Sequence, residues 1–325
     1  MSVNVVKIQE QGGPEVMQWE KLDLPKPEPI QIKVKHTAVG LNYIDTYHRS
    51  GLYPLATPSG IGMEGAGVIE EIGSEVTDLI PGDRIVYAAP PPGSYSEIRL
   101  MPADRAVKIP ENISDEIAAA IMLKGMTTQY LIKRTFQVEE GHKVLFHAAA
   151  GGVGLIACQW LKSLGATVIG TVGSEEKASL AKNHGCDHTI LYREEDFIEK
   201  VREITNGEGV NVVYDGVGKD TAEKGLDCLA PFGYMVIFGN SSGNADPIDP
   251  SLLMAKGSLF LTRPSLMHYT AKREDLLKTA NDVFDIVNSG NVKVNIGARY
   301  NLKDVIQAHK DLESRKTTGS TILLP

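Results

Sequence analysis

The chain has 325 residues, of which 42% are hydrophobic and 23% charged, a composition typical of a globular protein with apolar material for two domains. Its formal net charge of −8 disfavours non-specific binding to nucleic acid or to anionic lipid. No stretch approaches the ~20 apolar residues of a membrane span, the first residues lack the apolar core of a secretory signal, and the three cysteines form no paired motif. We therefore expect a cytoplasmic protein with reduced thiols, no membrane contact and no nucleic-acid partner.

Short apolar segments separated by glycine and proline make up the first third of the chain. Ile30, Ile32 and Val34 alternate with polar residues, which is the period of a half-buried strand. Further strands are predicted over residues 67–72, 84–88 and 95–100. Many short strands joined by such turns predict a barrel or a sandwich.

The pattern changes near residue 114, where Ser114 and the two acids after it predict the start of a helix. From residue 143 onward, strands alternate with helices, and the predicted strands are 143–147, 167–171, 188–190, 210–214, 233–238 and 258–261. Six strands separated by helices predict a doubly wound parallel sheet of the Rossmann type. A helix with periodic apolar residues is predicted over 276–287, and a closing strand over 321–324 should return to the N-terminal domain.

A glycine turn follows the first of these parallel strands. Ala149, Gly151 and Gly154 have the spacing of G-x-G-x-x-G, with alanine in the first place, between an apolar strand and the predicted helix 155–164. Gly151 would let the backbone approach a pyrophosphate, and Gly154 would let the helix pack closely on the strand. The helix N-terminus would offer N–H groups to the phosphates. The alternative is a purely structural turn in a unit without a cofactor.

The end of the second parallel strand indicates NADPH as the cofactor. A site for NAD usually has an acidic residue here for the ribose hydroxyl, and residues 169–174 contain none. Ser174 offers a hydroxyl and Lys177 a positive charge one helical turn further on, which suits a phosphate. Glu175 and Glu176 count against a phosphate here unless their side chains point outward. The alternative for Lys177 is that it is a solvated helix residue without a binding role.

Residues 58–67 and the order of the two parts resemble the medium-chain alcohol dehydrogenases. Zinc-containing members have a ligand histidine where Met63 stands, a ligand cysteine near Asn42 and a cysteine-rich lobe. This chain has no cysteine before Cys158. Because zinc needs three or four nitrogen, sulfur or oxygen ligands at fixed distances, neither a catalytic nor a structural zinc site is predicted.

Without zinc, the chain resembles the quinone oxidoreductase branch of that superfamily, which includes the zeta-crystallins, over nearly its whole length. The segments 42–47, 50–53, 146–154, 238–243, 263–265 and 313–315 carry the resemblance. It implies an α/β fold in which a Rossmann doubly wound parallel sheet is joined to a GroES-like β-barrel-type substrate domain, with the active site in the cleft between them. We expect the GroES-like domain to comprise residues 1–123 and 266–325, and the NADP-binding domain residues 124–265.

The glycine turn and the resemblance together imply which residues bind the cofactor. These are Asn42, Asp45, Gly151, Gly152, Val153, Gly154, Gly173, Ser174, Lys177, Tyr192, Phe238, Gly239, Asn240, Ser241, Arg263 and Arg315.

Hydride transfer without a metal requires a positioned acceptor and hydrogen bonds to the developing oxyanion. Asn42, Tyr47 and Tyr53 are the predicted catalytic residues, since a tyrosine ring packs on a planar quinone and its hydroxyl donates to a carbonyl. Tyr43 and Tyr47 have packing of the barrel wall as their alternative role. Asp45 either caps a turn or binds the nicotinamide ribose.

Two further polar residues beside the parallel strands are assigned structural roles. His147 is expected to be a partly buried structural histidine rather than a phosphate ligand. Asp215 is expected to shape the turn over residues 216–218.

The sequence thus predicts an NADPH:quinone oxidoreductase, with a quinone as its small-molecule substrate. Within enzymes, the alternative is an NADPH-dependent reductase of enones or 2-alkenals. From a different class, the chain could bind NADPH and act as a structural or nucleic-acid-binding protein, although its acidity disfavours the latter. A homodimer is expected, with residues 258–261 as the candidate edge strand.

Overall fold

A computed structural model describes residues 2–325 of the chain. The strands, in chain order, are β1 (Ser2–Ile8), β2 (Met17–Asp23), β3 (Gln31–Leu41), β4 (Ser59–Gly60), β5 (Glu64–Ile72), β6 (Arg84–Ala88), β7 (Ile98–Pro102), β8 (Val107–Lys108), β9 (Lys143–Phe146), β10 (Thr167–Val172), β11 (His188–Leu191), β12 (Val210–Asp215), β13 (Leu229–Ile237), β14 (Phe260–Thr262), β15 (Ile296–Asn301) and β16 (Ser320–Leu324). The α-helices are α1 (Tyr43–Ser50), α2 (Asp115–Tyr130), α3 (Gly152–Ser163), α4 (Glu175–Asn183), α5 (Phe197–Ile204), α6 (Ala222–Gly225), α7 (Pro250–Ala255), α8 (Leu266–Tyr269), α9 (Arg273–Asn288) and α10 (Val305–Glu313). Among residues 2–325, no helix has the length and apolar character needed to cross a lipid bilayer.

The chain folds into two compact units. The first unit comprises residues 2–124 with Ala271–Phe284 and Ile296–Pro325, and the second comprises Gly125–Thr270 with Asp285–Asn295. Each unit has its own sheet and its own buried apolar residues.

The first unit is built on a mixed seven-stranded sheet in the order β15-β16-β3-β5-β6-β8, with β7 also pairing with β3. A smaller sheet has the order β2-β1-β4. β16 pairs antiparallel with β3, which confirms the prediction that the closing strand returns to the N-terminal part. The core of the larger sheet is formed by Ile32, Val34, Ile69, Leu79, Ile85, Tyr87 and Met101.

Three details of the first unit differ from the predictions. Ile30 precedes β3 and is 59% exposed, because β3 begins only at Gln31. The strand predicted from residue 95 begins at Ile98, since Tyr95 instead bonds through its backbone to Ile61 and Val6. Helix α1 was not predicted, because its aromatic residues have high strand propensity.

The second unit contains the predicted doubly wound parallel sheet, in the order β11-β10-β9-β12-β13-β14. All of its neighbouring strands are parallel. Each predicted strand is present, although β13 starts earlier than expected, at Leu229. β14 lies at one edge of the sheet, as predicted for residues 258–261. The strand order reverses between β9 and β12, so that one half of the sheet extends from β9 and the other from β12. Open parallel sheets bind ligands at such a switch point, beyond the carboxyl ends of the strands.

A buried histidine in β3 illustrates how the first unit accommodates polar groups. The Nδ1 atom of His36 lies 2.7 Å from the Ser96 carbonyl oxygen, and its Nε2 atom lies 2.7 Å from the Tyr87 hydroxyl. Because a carbonyl only accepts, Nδ1 carries the hydrogen and Nε2 accepts from Tyr87. Burial lowers the pKa of His36 to about 4, so the ring is neutral at pH 7.

We expect the free energy of unfolding to fall as the pH drops from 6.5 to about 4, because the unfolded chain takes up a proton on His36 in this range and the folded chain does not. At about 1.4 kcal/mol per pH unit, this residue contributes roughly 3 kcal/mol to the loss. Replacing it, as in His36→Gln, should therefore make the pH dependence shallower. Chemical denaturation of both proteins at pH 7 and pH 4 measures the difference.

The matched control is His268→Gln, since His268 is exposed. His309, whose pKa burial lowers to about 3, gives a slope of the same sign in all three proteins and cancels in the comparison. An equal loss of stability in wild type and His36→Gln would contradict the buried neutral state of His36.

Candidate functional site

The glycine turn connects β9 to α3 in the second unit. Ala148 has a φ of +57°, and the Ala149 N–H donates to the Thr171 carbonyl oxygen at 3.1 Å. A Cβ atom on Gly154 would lie 2.5 Å from the Ala148 carbonyl oxygen, so only glycine permits this approach of helix to strand. The packing role predicted for Gly154 is therefore confirmed. The first turn of α3, which includes Gly152 and Val153, presents N–H groups that the helix itself does not use.

The end of β10 brings together four of the predicted cofactor residues. Ser174 is the N-cap of α4, and its hydroxyl oxygen accepts the Lys177 N–H at 3.4 Å. Tyr192 lies against the backbone of Gly173, because a Cβ atom there would be 3.0 Å from the Tyr192 hydroxyl. The acids at positions 175 and 176 are exposed. The capping role of Ser174 was not predicted, although serine followed by two acids is a typical helix start.

Two loops follow the adjacent strands β12 and β13. The Asp215 carboxylate accepts the N–H groups of Val217 and Gly218 at 2.6 and 3.1 Å, which confirms its predicted role in the turn. The Phe238 N–H donates to the Asp215 carbonyl oxygen at 2.7 Å, and the Ser241 N–H donates to the Gly216 carbonyl oxygen at 3.2 Å. These bonds tie residues 238–241, including Gly239 and the buried Asn240, to the end of β12.

His147 directly follows β9 and is fully buried, rather than partly buried as predicted. Its Nδ1 atom lies 3.0 Å from the Thr171 hydroxyl oxygen, and its ring meets Phe197 edge to face. Its Nε2 atom has no hydrogen-bond partner within residues 2–325. Burial lowers the pKa of His147, which keeps the ring neutral.

The two predicted arginines lie in different units. Arg263 follows β14 in the second unit, and one guanidinium nitrogen donates to the Pro264 carbonyl oxygen at 3.0 Å. Arg315 follows α10 in the first unit, is exposed and has a φ of +59°. Their contacts with a cofactor stay predictions.

An aromatic cluster forms on α1 and the loop after it in the first unit. The ring centroid of Tyr47 lies 6.2 Å from that of Tyr43 and 5.0 Å from that of Tyr53. The Tyr43 hydroxyl donates to the Leu312 carbonyl oxygen at 3.1 Å, which fixes this ring against α10. Tyr47 is only 7% exposed, whereas Tyr53 is half-buried. The structure thus brings the two predicted catalytic tyrosines together.

Asn42 is the N-cap of α1 and is held by two carboxylates. Its backbone N–H donates to Asp45 Oδ2 at 2.9 Å, and its side-chain Nδ2 donates to Glu64 Oε2 at 2.8 Å. Of the two roles left open for Asp45, the structure shows the capping role. Binding of the nicotinamide ribose by Asp45 stays a prediction.

A directed chain of hydrogen bonds links Arg49 and Asp45, both on α1, through His309 and Tyr95. Arg49 Nη1 lies 2.9 Å from His309 Nδ1, and because arginine cannot accept, His309 accepts there and carries its hydrogen on Nε2. His309 then donates to Tyr95 at 3.0 Å, and the Tyr95 hydroxyl donates to Asp45 Oδ2 at 2.9 Å. Despite these bonds, burial raises the pKa of Asp45 to about 7.

Within residues 2–325, no group of three or more histidine, cysteine, aspartate or glutamate side chains is arranged to hold a metal ion. Met63, at the position of the ligand histidine in zinc-containing members, is buried.

Comparison with known proteins identifies the family. The alcohol dehydrogenase GroES-like domain matches residues 28–111, and the zinc-binding dehydrogenase family matches residues 152–282. The quinone oxidoreductase of Pseudomonas aeruginosa is 49% identical over 97% of each chain. The 2-haloacrylate reductase of a Burkholderia species is 46% identical over 98% of each chain.

A solved structure of Escherichia coli quinone oxidoreductase complexed with NADPH is 48% identical and has a TM-score of 0.97, covering 99% of this chain and 100% of that one. Near-full-length identity of almost one half, with both parts in the expected order, shows that the chain belongs to the quinone oxidoreductase family of the medium-chain dehydrogenases and reductases.

Proposed function

We propose that this protein is an NADPH:quinone oxidoreductase that works without a metal ion. The observation that carries the proposal is the end of β10, where Ser174, Lys177 and Tyr192 surround a strand terminus that lacks an acid. This arrangement suits a phosphate rather than a ribose hydroxyl. The family of the chain supports it, and one relative has been solved in complex with NADPH.

The residues of the second unit fit this cofactor. The close approach at Gly154 leaves a narrow turn at the N-terminus of α3, where N–H groups and the helix dipole stabilise a pyrophosphate. Lys177 and Ser174 would bind the additional phosphate of NADPH. Residues 238–241 would line the rest of the cofactor site. When bound, NADPH supplies the hydride.

The first unit supplies hydrogen bonds in place of a metal. Asn42 is positioned as a donor, and the Tyr47 and Tyr53 rings pack together in the cluster that would receive a planar acceptor. A quinone needs less electrophilic activation than a simple aldehyde, so such hydrogen bonds suffice. The likeness to 2-haloacrylate reductase favours an activated alkene as the second candidate acceptor.

We expect the purified protein to oxidise NADPH with quinones faster than with enones, 2-alkenals or 2-haloacrylates, and to keep this activity in a metal chelator. Absorbance of NADPH under a panel of these acceptors, with elemental analysis for zinc, measures both points. Faster turnover of the alkenes would select the second candidate. NADPH binding without turnover of any acceptor would select a non-enzymatic role, and activity lost together with one zinc per chain would exclude the metal-free mechanism.

We expect NADPH to bind much more tightly than NADH, and Lys177→Ala to remove most of the difference. A charge-assisted hydrogen bond contributes about 1.5–3 kcal/mol, or roughly ten- to hundredfold in affinity. Added salt should weaken NADPH binding more than NADH binding, because it screens the extra phosphate contact. Calorimetric titration with both cofactors at two salt concentrations measures the effect.

Lys182→Ala is the matched control, because Lys182 lies exposed on the same helix, α4. Its preference for NADPH should equal that of wild type. Equal affinities for NADPH and NADH in the wild type would contradict the assignment, and Glu175 or Glu176 would then be the natural ribose ligand.

We also propose that residues 1–123 and 266–325 act as the catalytic domain and residues 124–265 as the NADP-binding domain, in a cytoplasmic protein. The division of the chain near residues 124 and 270 supports these boundaries, whereas Asp285–Asn295 groups with the second unit instead. The three cysteines are buried free thiols, as is usual in a reducing compartment.

A homodimer formed through the edge of the parallel sheet is proposed as the working assembly. β14 ends the sheet, and exposed apolar side chains lie on it and beside it: Phe232 (69% exposed), Met254 (72%), Phe260 (49%) and Leu261 (38%). An apolar edge strand of this kind favours pairing with a second copy.

We expect light scattering at micromolar concentration to give twice the chain mass of 35.2 kDa. Leu261→Lys should shift the protein toward the monomer, because a charge on an edge strand opposes pairing. Ile80→Lys, at an exposed apolar position of the first unit, should leave the mass unchanged. A wild-type protein that is monomeric at this concentration would rule out the dimer.

A further inference from the structure

Glu64 is a wholly buried carboxylate in the first unit whose hydrogen bonds converge on the proposed acceptor side. Its Oε2 atom accepts from Asn42 Nδ2 at 2.8 Å and lies 3.5 Å from Lys124 Nζ, while its Oε1 atom accepts the Leu123 N–H at 2.6 Å. The backbone of β3 makes room for this carboxylate, because a Cβ atom on Gly40 would lie 2.0 Å from Glu64 Oε2.

Capping of helix α1 does not require Glu64. Asp45 already caps this helix by accepting the Asn42 backbone N–H at 2.9 Å. Asp45 is itself supported by the Tyr95 hydroxyl at 2.9 Å. The backbone of residue 42 is thus fixed without Glu64, whose hydrogen bond to this residue involves the side-chain amide alone.

Glu64 fixes the nitrogen end of the Asn42 amide, while the oxygen end faces the Asp45 backbone N–H in the capping box of α1. A carboxylate only accepts hydrogen bonds, so the nitrogen of the amide, and not its oxygen, must point toward Glu64. One Nδ2 hydrogen is used in this bond, and the direction of the second is then set by the planar geometry of the amide. Lys124 supplies the charge that a buried carboxylate requires.

We infer that Glu64 is a positioning residue that orients the Asn42 amide as a hydrogen-bond donor for the quinone oxygen. The inference rests on the proposed function, because it assumes that Asn42 serves the acceptor. Lys124 neutralises Glu64, and Leu123 fixes its second oxygen, so the carboxylate is held from three sides.

A double-mutant cycle between Glu64 and Asn42 separates this role from a structural one. Glutamine at position 64 has one acceptor oxygen for the three donors that the carboxylate serves, so Glu64→Gln should leave the amide poorly oriented. We expect Glu64→Gln to lower kcat for 1,4-benzoquinone roughly tenfold or more, with the Kd for NADPH unchanged within about twofold. In the Asn42→Ala background, the same substitution should change kcat by less than about twofold.

Kinetics are normalised to the NADPH-binding fraction, so that misfolded protein does not contribute. An equal loss of kcat from Glu64→Gln in both backgrounds, or no loss in the wild-type background, would overturn the inference. If Asn42→Ala alone leaves kcat unchanged, the acceptor role of Asn42 fails and this inference with it, whereas quinone turnover by the wild type would still support the enzyme assignment.

A second variant guards against failure of Glu64→Gln to fold. Replacing both Glu64 and Lys124 by leucine removes the buried charges together, which protein interiors tolerate better than removal of one partner. This pair should show the same loss of kcat and the same dependence on Asn42. Full activity of the folded leucine pair would contradict the positioning role.

Discussion

The burial of two carboxylates, Asp45 and Glu64, is the constraint on which the first unit depends. Both side chains are completely buried, and an uncompensated buried carboxylate costs several kcal/mol. The donors that compensate them come from distant parts of the chain. Lys124, on α2, lies beside Glu64. The Tyr95 hydroxyl, which accepts from His309 on α10, donates to Asp45. The hydrogen bonds to these two carboxyl groups therefore bring β5, α1, α2 and α10 together, and Asn42 bonds to both groups.

In the second unit, the turns after the parallel strands are fixed mainly by close backbone approaches and by side chains that cap backbone N–H groups. The carboxyl ends of β9, β10, β12 and β13 lie side by side, and the turns that follow them are set by close approaches, as at Gly154, and by side-chain caps, as at Asp215 and Ser174. In the proposed function, the N–H groups of these turns and Lys177 would bind the phosphates of NADPH. Each unit thus holds its own polar groups in a fixed geometry, the second through its turns and the first through the hydrogen bonds of Asn42.

The parallel sheet could be predicted from sequence because each of its strands is a short apolar run between helices, and because the edge strand is the last of the series. The glycine turn was visible because its residues are contiguous. Helix α1 was missed because aromatic residues such as Tyr43 and Tyr47 favour strands, although Asn42 and Asp45 form a local capping box at its start. No local pattern could reveal Glu64, Lys124, Tyr95 or His309, because their partners are between 22 and 260 residues away in the chain.

Whether the buried Glu64 carboxylate orients the side-chain amide of Asn42 can be tested directly by crystal structures of wild type and Glu64→Gln, at a resolution that defines side-chain amides. In the wild type, Asn42 Nδ2 should lie within hydrogen-bond distance of Glu64, as at 2.8 Å here. In the variant, the Asn42 amide should rotate or become disordered, while the backbone of α1 and its bond to Asp45 stay in place. An Asn42 side chain that keeps its position and order in the variant would contradict the account.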